Sequence, residues 1–224
     1  MKNSILFRFL FALAIFSTFT FTSCMKTGDM LIQNGSSYYQ RKNFEQAEEL
    51  FMMALEEKSD FSKEDIYAMI ANCRLELGDY DNAIEWRNKI LETRKDSDNY
   101  INLGLLYRLK EDDATAEEMY KKALNAAPKD PNAYGSLGSL YLSQDRIDEA
   151  IPYFQESINL YPWNGQVHTN LAICYGRKGL FDLAEESMAN ALYLRYENFD
   201  SFRAELDELE NKAGYVKKIT ESNR

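Results

Sequence analysis

The sequence predicts an all-α fold: about five helical hairpins stacked side by side and closed by one C-terminal helix. Three observations carry this expectation. Small, aromatic and aliphatic residues recur in fixed slots at a spacing of 34 residues between positions 97 and 198. Around those slots apolar residues stand three and four apart, the period that gives a helix one buried face. Pro (4) and Gly (10) are too scarce for a turn-rich β domain, while a hydrophobic content of 45% is enough to build a core.

Taken in chain order, residues 1–23 stand apart. Lys2 and Arg8 precede an uncharged apolar run from Phe9 to Phe21. A basic start and a short apolar stretch are the marks of a secretory signal peptide, and the run falls short of the roughly 20 residues a spanning helix needs. Thr22, Ser23 and Cys24 follow. Small residues ahead of a cysteine resemble the bacterial lipobox, with Phe21 where Leu is usual. That resemblance implies cleavage before Cys24, acylation of Cys24 and lasting attachment to a lipid bilayer, because each buried methylene contributes about 0.8 kcal/mol. Residues 24–27 are then the anchor and a short linker.

Five repeats are expected at 28–63, 64–96, 97–130, 131–164 and 165–198. Tyr100, Leu103, Gly104, Tyr107, Ala116, Tyr120, Ala123 and Pro128 form one set. They recur as Tyr134, Leu137, Gly138, Tyr141, Ala150, Phe154, Ser157 and Pro162. They recur again as His168, Leu171, Ala172, Tyr175, Ala184, Met188, Ala191 and Tyr196. Two looser copies come earlier: Leu31, Gly35, Tyr38, Ala47, Phe51 and Ala54, then Tyr67, Ile70, Ala71, Ala83 and Ile90. In the second of these, Arg74 and Arg87 stand where other repeats carry aromatic side chains. The small residue of each first helix, and the Ala of each second helix, mark where two backbones approach closest. Pro128 and Pro162 end the second helix, since Pro cannot continue it.

Residues 199–214 read as a capping helix. Phe199, Phe202, Leu206, Leu209 and Ala213 make its apolar stripe. Asp200 or Ser201 is the expected N-cap and Gly214 the expected stop. Residues 215–224 are a polar tail.

The order aromatic, Leu-Gly, Tyr, Ala, aromatic, Pro resembles the tetratricopeptide repeat (TPR). The resemblance implies a right-handed, TPR-like α-solenoid. The first helix of each repeat would line a concave groove that receives partners as extended or helical peptides. Carried over onto this sequence, the groove holds Tyr39, Asn72, Leu75, Ile101, Asn102, Leu105, Arg108, Asn132, Leu142, Asn170, Ile173 and Arg177. Ile32, Ser136, Ser139 and Thr169 share the same face. Asn offers both a donor and an acceptor to a bound backbone. Ile101 and Leu105 offer an apolar seat, and Arg108 and Arg177 can meet a carboxylate. The clamp with which some members grip a C-terminal carboxylate needs three cations. The aligned slots hold Ala68, Asn132 and Ser136, so that specificity is excluded.

No catalytic constellation is visible. The single histidine, His168, occupies an aromatic slot and reads as a packed imidazole. Cys73 and Cys174 fall in one slot of separate repeats and read as buried thiols beyond disulfide reach. Trp163 reads as filler of an inter-repeat joint. The formal charge of −10 argues against nucleic acid. The expectation is therefore no enzyme, no cofactor and no metal site. It is a lipid-anchored scaffold of the cell envelope, at the outer membrane facing the periplasm, which binds a protein subunit of an envelope complex. The alternative is an accessory lipoprotein of a solute transporter that binds a small ligand or a solute-binding protein; a deep apolar pocket would favour it.

Overall fold

The computed structural model describes residues 26–215. The leader, Cys24 and all but the first residue of the polar tail lie outside the described residues. Those described form eleven helices and no strand. In order they are α1 (Thr27–Gln40), α2 (Phe44–Ala54), α3 (Lys63–Glu76), α4 (Tyr80–Leu91), α5 (Ser97–Leu109) and α6 (Asp113–Ala126). There follow α7 (Pro131–Ser143), α8 (Ile147–Leu160), α9 (Gly165–Arg177), α10 (Phe181–Tyr193) and α11 (Phe199–Ala213). Among the described residues no helix is long and apolar enough to cross a membrane. The chain divides into two compact units between Cys73 and Arg74.

In the first unit α1 packs on α2. Gly35 makes this possible: a Cβ there would stand 2.6 Å from Cε1 of Phe51, which is itself buried. The loop after α2 is tied back to α1. The Lys58 carbonyl accepts from the Gly28 amide at 3.0 Å. Asp29 accepts from the Ser59 hydroxyl at 2.6 Å and from the Asp60 amide at 2.9 Å, and Lys26 pairs with Asp60. These bonds, Ser59 foremost, hold the Asp29 carboxyl below its usual range.

In the second unit α5 pairs with α6, α7 with α8 and α9 with α10, and each pair packs on the next. The seam is built as the small-residue slots predict. A Cβ on Gly104 would lie 2.5 Å from Cε1 of Tyr120, and one on Gly138 2.7 Å from Cδ1 of Phe154. Ala116, Ala150 and Ala184 are fully buried on the facing helices. A second device sets the stacking. The C-cap residues Lys110, Gln144 and Lys178 reach Asp81, Asp113 and Asp148, each in the first turn of the preceding pair's second helix.

The turn between a first and a second helix has one form throughout. Lys42, Gly78, Glu111, Asp145 and Gly179 all have positive φ. The amide that follows bonds back into the last turn of the helix, as Asp112 N to the Tyr107 carbonyl at 2.9 Å and Arg146 N to Tyr141 at 2.9 Å. This left-handed stop satisfies carbonyls that the helix end leaves orphaned. It takes non-glycine residues in three of the five turns.

The terminal helix α11 covers α9 and α10. Leu206 is fully buried, and Leu206 and Leu209 approach Gly176 so closely that a Cβ there would stand 2.6 and 3.2 Å from their Cδ1 atoms. Its N-cap is Asn198 rather than Asp200 or Ser201, while Gly214 ends it at φ 67°. Trp163 corrects another expectation: it is 62% exposed and does not fill a joint. His168 is buried, with Nε2 donating to the Pro162 carbonyl at 3.0 Å. Cys73 and Cys174 are buried free thiols, and burial pushes Cys174 up to about 12.

Candidate peptide-binding groove

The first helices α5, α7 and α9 stand in a row, with α5 touching α7 and α7 touching α9. Together they wall a cavity of about 480 Å³. Ile101, Leu105 and Arg108 come from α5, one turn apart on a single face. Asn132, Ser136, Ser139 and Leu142 come from α7, and Val167, Asn170 and Arg177 from α9. Seven of the twelve expected groove residues therefore meet here: Ile101, Leu105, Arg108, Asn132, Leu142, Asn170 and Arg177.

The other five lie elsewhere. Tyr39 and Asn72, with Ser36, Gln40, Phe51 and Met69, line a separate hollow of about 160 Å³ in the first unit. Leu75 is half-buried against the Ala83–Ile84–Leu103 cluster. The Asn102 amide donates to the Asp98 carbonyl at 2.7 Å, within its own helix. Ile173 is the clear correction. It is 1% exposed and belongs to the core cluster that contains Leu206, because α11 lies over α9 where a further repeat would otherwise leave a groove. Thr169 and Ile32, from the same register, are buried as well.

Tyr120 lines the groove although it sits on a second helix. The sequence signal was Gly104: a bare backbone lets the ring lie across α5 and reach the far side. Burial raises the Tyr120 phenol above its usual pKa, and the Arg108 charge acts in the opposite direction. The remaining polar liners are partly committed. Asn170 Nδ2 donates to Ser139 Oγ at 3.2 Å, which donates to the Gly135 carbonyl at 2.8 Å. Arg177 bonds Asp145 at 3.3 Å and Glu205 at 3.0 Å. Among the described residues no cluster of His, Cys, Asp or Glu could hold a metal ion.

The tetratricopeptide-repeat pattern matches residues 62–129 and 100–162, and a second form of it matches 136–201. A human protein O-mannosyl-transferase, TMTC1, is 39% identical over 72 residues, which cover 32% of this chain and 8% of that protein. The bovine BBSome complex member BBS4 is 27% identical over 129 residues, 57% of this chain and 25% of its own length. The chain thus spans a quarter or less of these relatives. Among solved structures, the thermophilic TPR protein TTC0263 of Thermus thermophilus superimposes with a TM-score of 0.63 at 20% identity, covering 81% of this chain and 98% of that one. MamA (residue 41 to the end) from Desulfovibrio magneticus RS-1 gives 0.60 at 18% identity, covering 76% and 96%. Those identities speak for the fold alone. Proteins built on this repeat generally act as scaffolds for protein–protein interaction. The matched residues run over more than half of the sequence, with the Gly–aromatic seams at their centre, and the chain belongs to the tetratricopeptide-repeat family.

Proposed function

We propose that this protein is a membrane-tethered adaptor of the cell envelope, which holds an extended segment of a partner protein in the α5–α7–α9 groove. One observation carries the binding half: three consecutive first helices line a single open trough of about 480 Å³ with both aliphatic and hydrogen-bonding side chains. An extended backbone needs such an arrangement of donors and acceptors beside apolar seats. The trough is open and lined by polar and apolar groups in about equal measure, which favours a polypeptide over an enclosed small solute. The tether half rests on the leader and on Thr22-Ser23-Cys24, with an acylated Cys24 placing the repeats at the outer membrane, facing the periplasm.

Two measurements test the reading. A photo-crosslinking amino acid at Leu142, in cells, should capture a defined envelope protein that the same probe at exposed Asn159 on α8 does not. Capture of the same bands from both positions would end the groove reading. Labelled palmitate should enter the wild-type chain and not Cys24→Ala, and the variant should leave the membrane fraction. Equal labelling of both would end the tether.

A further inference from the structure

The sign of the groove runs against that of the chain. The protein carries 36 acidic and 26 basic residues, yet the groove lining contains two arginines and no carboxylate. The two arginines differ. Arg177 is already neutralised by Asp145 and Glu205. Arg108 has no ion-pair partner among the described residues, although it is half-buried beside Ile101 and Leu105. A partly desolvated guanidinium without a counter-charge gains more from an arriving anion than an exposed one does. Asn132, Ser136 and Gln166 line the same trough; their side chains make no hydrogen bond within the described residues and can pair with a bound backbone.

We infer that the α5–α7–α9 groove selects an extended peptide carrying an Asp or Glu side chain, seated on the Arg108 guanidinium with its neighbouring apolar residue on Ile101 and Leu105. The inference rests on the peptide-groove reading above. A carboxylate matches the two parallel N–H donors of one guanidinium. A phosphate dianion would call for a second uncommitted cation, and Arg177 is taken. The recognition differs from a grip on a chain terminus, since it reads a side chain at any point of the peptide.

The test uses the detergent-solubilised full chain and fluorescein-labelled peptide pools of about 12 residues, acetylated and amidated so that only side chains supply charge. One position is fixed as Asp, Glu, Gln, Lys or phosphoserine, and affinity is read by anisotropy. Asp and Glu pools should bind about tenfold tighter than Gln pools, a gap that narrows in high salt. Arg108→Gln should erase the gap, Arg108→Lys should keep part of it, and Arg108→Glu should turn preference toward Lys pools. Circular dichroism checks that each variant is folded. Equal binding of Asp, Glu and Gln pools, a gap that survives Arg108→Gln, or a stronger phosphoserine pool would each overturn the carboxylate assignment. Asn132→Trp, which obstructs the trough, separates the two levels of failure. If it abolishes binding while Arg108 variants change nothing, the groove stands and the acidic preference falls. If no pool binds, or binding ignores Asn132→Trp, both fall.

Discussion

The hairpins α7–α8 and α9–α10 occupy neighbouring places and share every slot of the repeat, yet they fill their seams differently. In the first, Gly138 lies under the ring of Phe154, with no room for a Cβ. In the second, Ala172 and Met188 hold the same two slots and are 0% and 2% exposed. A rigid ring needs a bare backbone beneath it, whereas an unbranched thioether can bend around a methyl group. The Gly104–Tyr120 and Gly35–Phe51 pairs repeat the first solution. Ala71 and Arg87 in the second repeat carry the same combination of alanine and flexible chain as Ala172 and Met188. The small slot is therefore not simply small: its size is set by the stiffness of the residue sixteen positions later.

The largest expected effect comes from breaking that match. Gly138→Ala should cost about 2–3 kcal/mol in chemical denaturation, because its Cβ would stand 2.7 Å from the Phe154 ring. Adding Phe154→Met, which copies the α9–α10 pair, should return at least half of the loss. A double variant no more stable than the single would show that the slots are independent. Gly135, one turn earlier in α7, is the control. Its Cβ would meet Val167 at 3.4 Å, ordinary contact, so Gly135→Ala should gain about 0.5–1 kcal/mol from helix propensity.

The turns of the two hairpins give the next contrast. Asp145 and Gly179 hold the same left-handed position, at φ 58° and 72°. Gly179→Ala should cost about 1 kcal/mol, seen as a lower denaturation midpoint, with nothing near it to clash. Asp145→Gly should be close to neutral, as relief of backbone strain offsets greater chain entropy and the lost Arg177 contact.

The smallest effect concerns the tyrosine that opens each seam. Tyr141 donates to Glu117 at 2.9 Å, where Arg146 and Lys121 also converge. The equivalent Tyr175 accepts from neutral Gln155 at 2.9 Å. The Lys121 bond first, then Tyr141 and Arg146, hold the Glu117 carboxyl below 4.5. A depressed folded pKa means stability that is present above the unfolded value and lost as pH falls through the folded one. Glu117→Gln should cost about 0.5–1 kcal/mol at pH 7 and progressively less below pH 4.5. Gln155→Leu should show no such pH dependence. A flat difference between neutral and strongly acidic pH for Glu117→Gln would remove the ionic account of this seam.

Much of the fold was legible because its determinants are local in period. The glycine, alanine and aromatic slots, Pro128 and Pro162 as stops, and Gly214 as a C-cap each follow from what one helix can tolerate. The non-glycine turns at Lys42, Glu111 and Asp145 were not legible, since nothing in those side chains announces positive φ; the surrounding helices impose it. The groove was half legible. The resemblance to the tetratricopeptide repeat placed Ile101, Leu105 and Arg108 in the groove, but it also placed Ile173 there, and it left Tyr120 out.

By itself the sequence determined the repeat, the helical hairpins and the small–large matching of their seams, because those depend on distances within one repeat. Tertiary structure alone decided which faces stay open. Laying α11 over α9 buries Ile173, and passing the Tyr120 ring across Gly104 brings a second-helix side chain into the trough. Exposure is a property of what lies opposite a residue, and that neighbour is supplied by a different part of the chain.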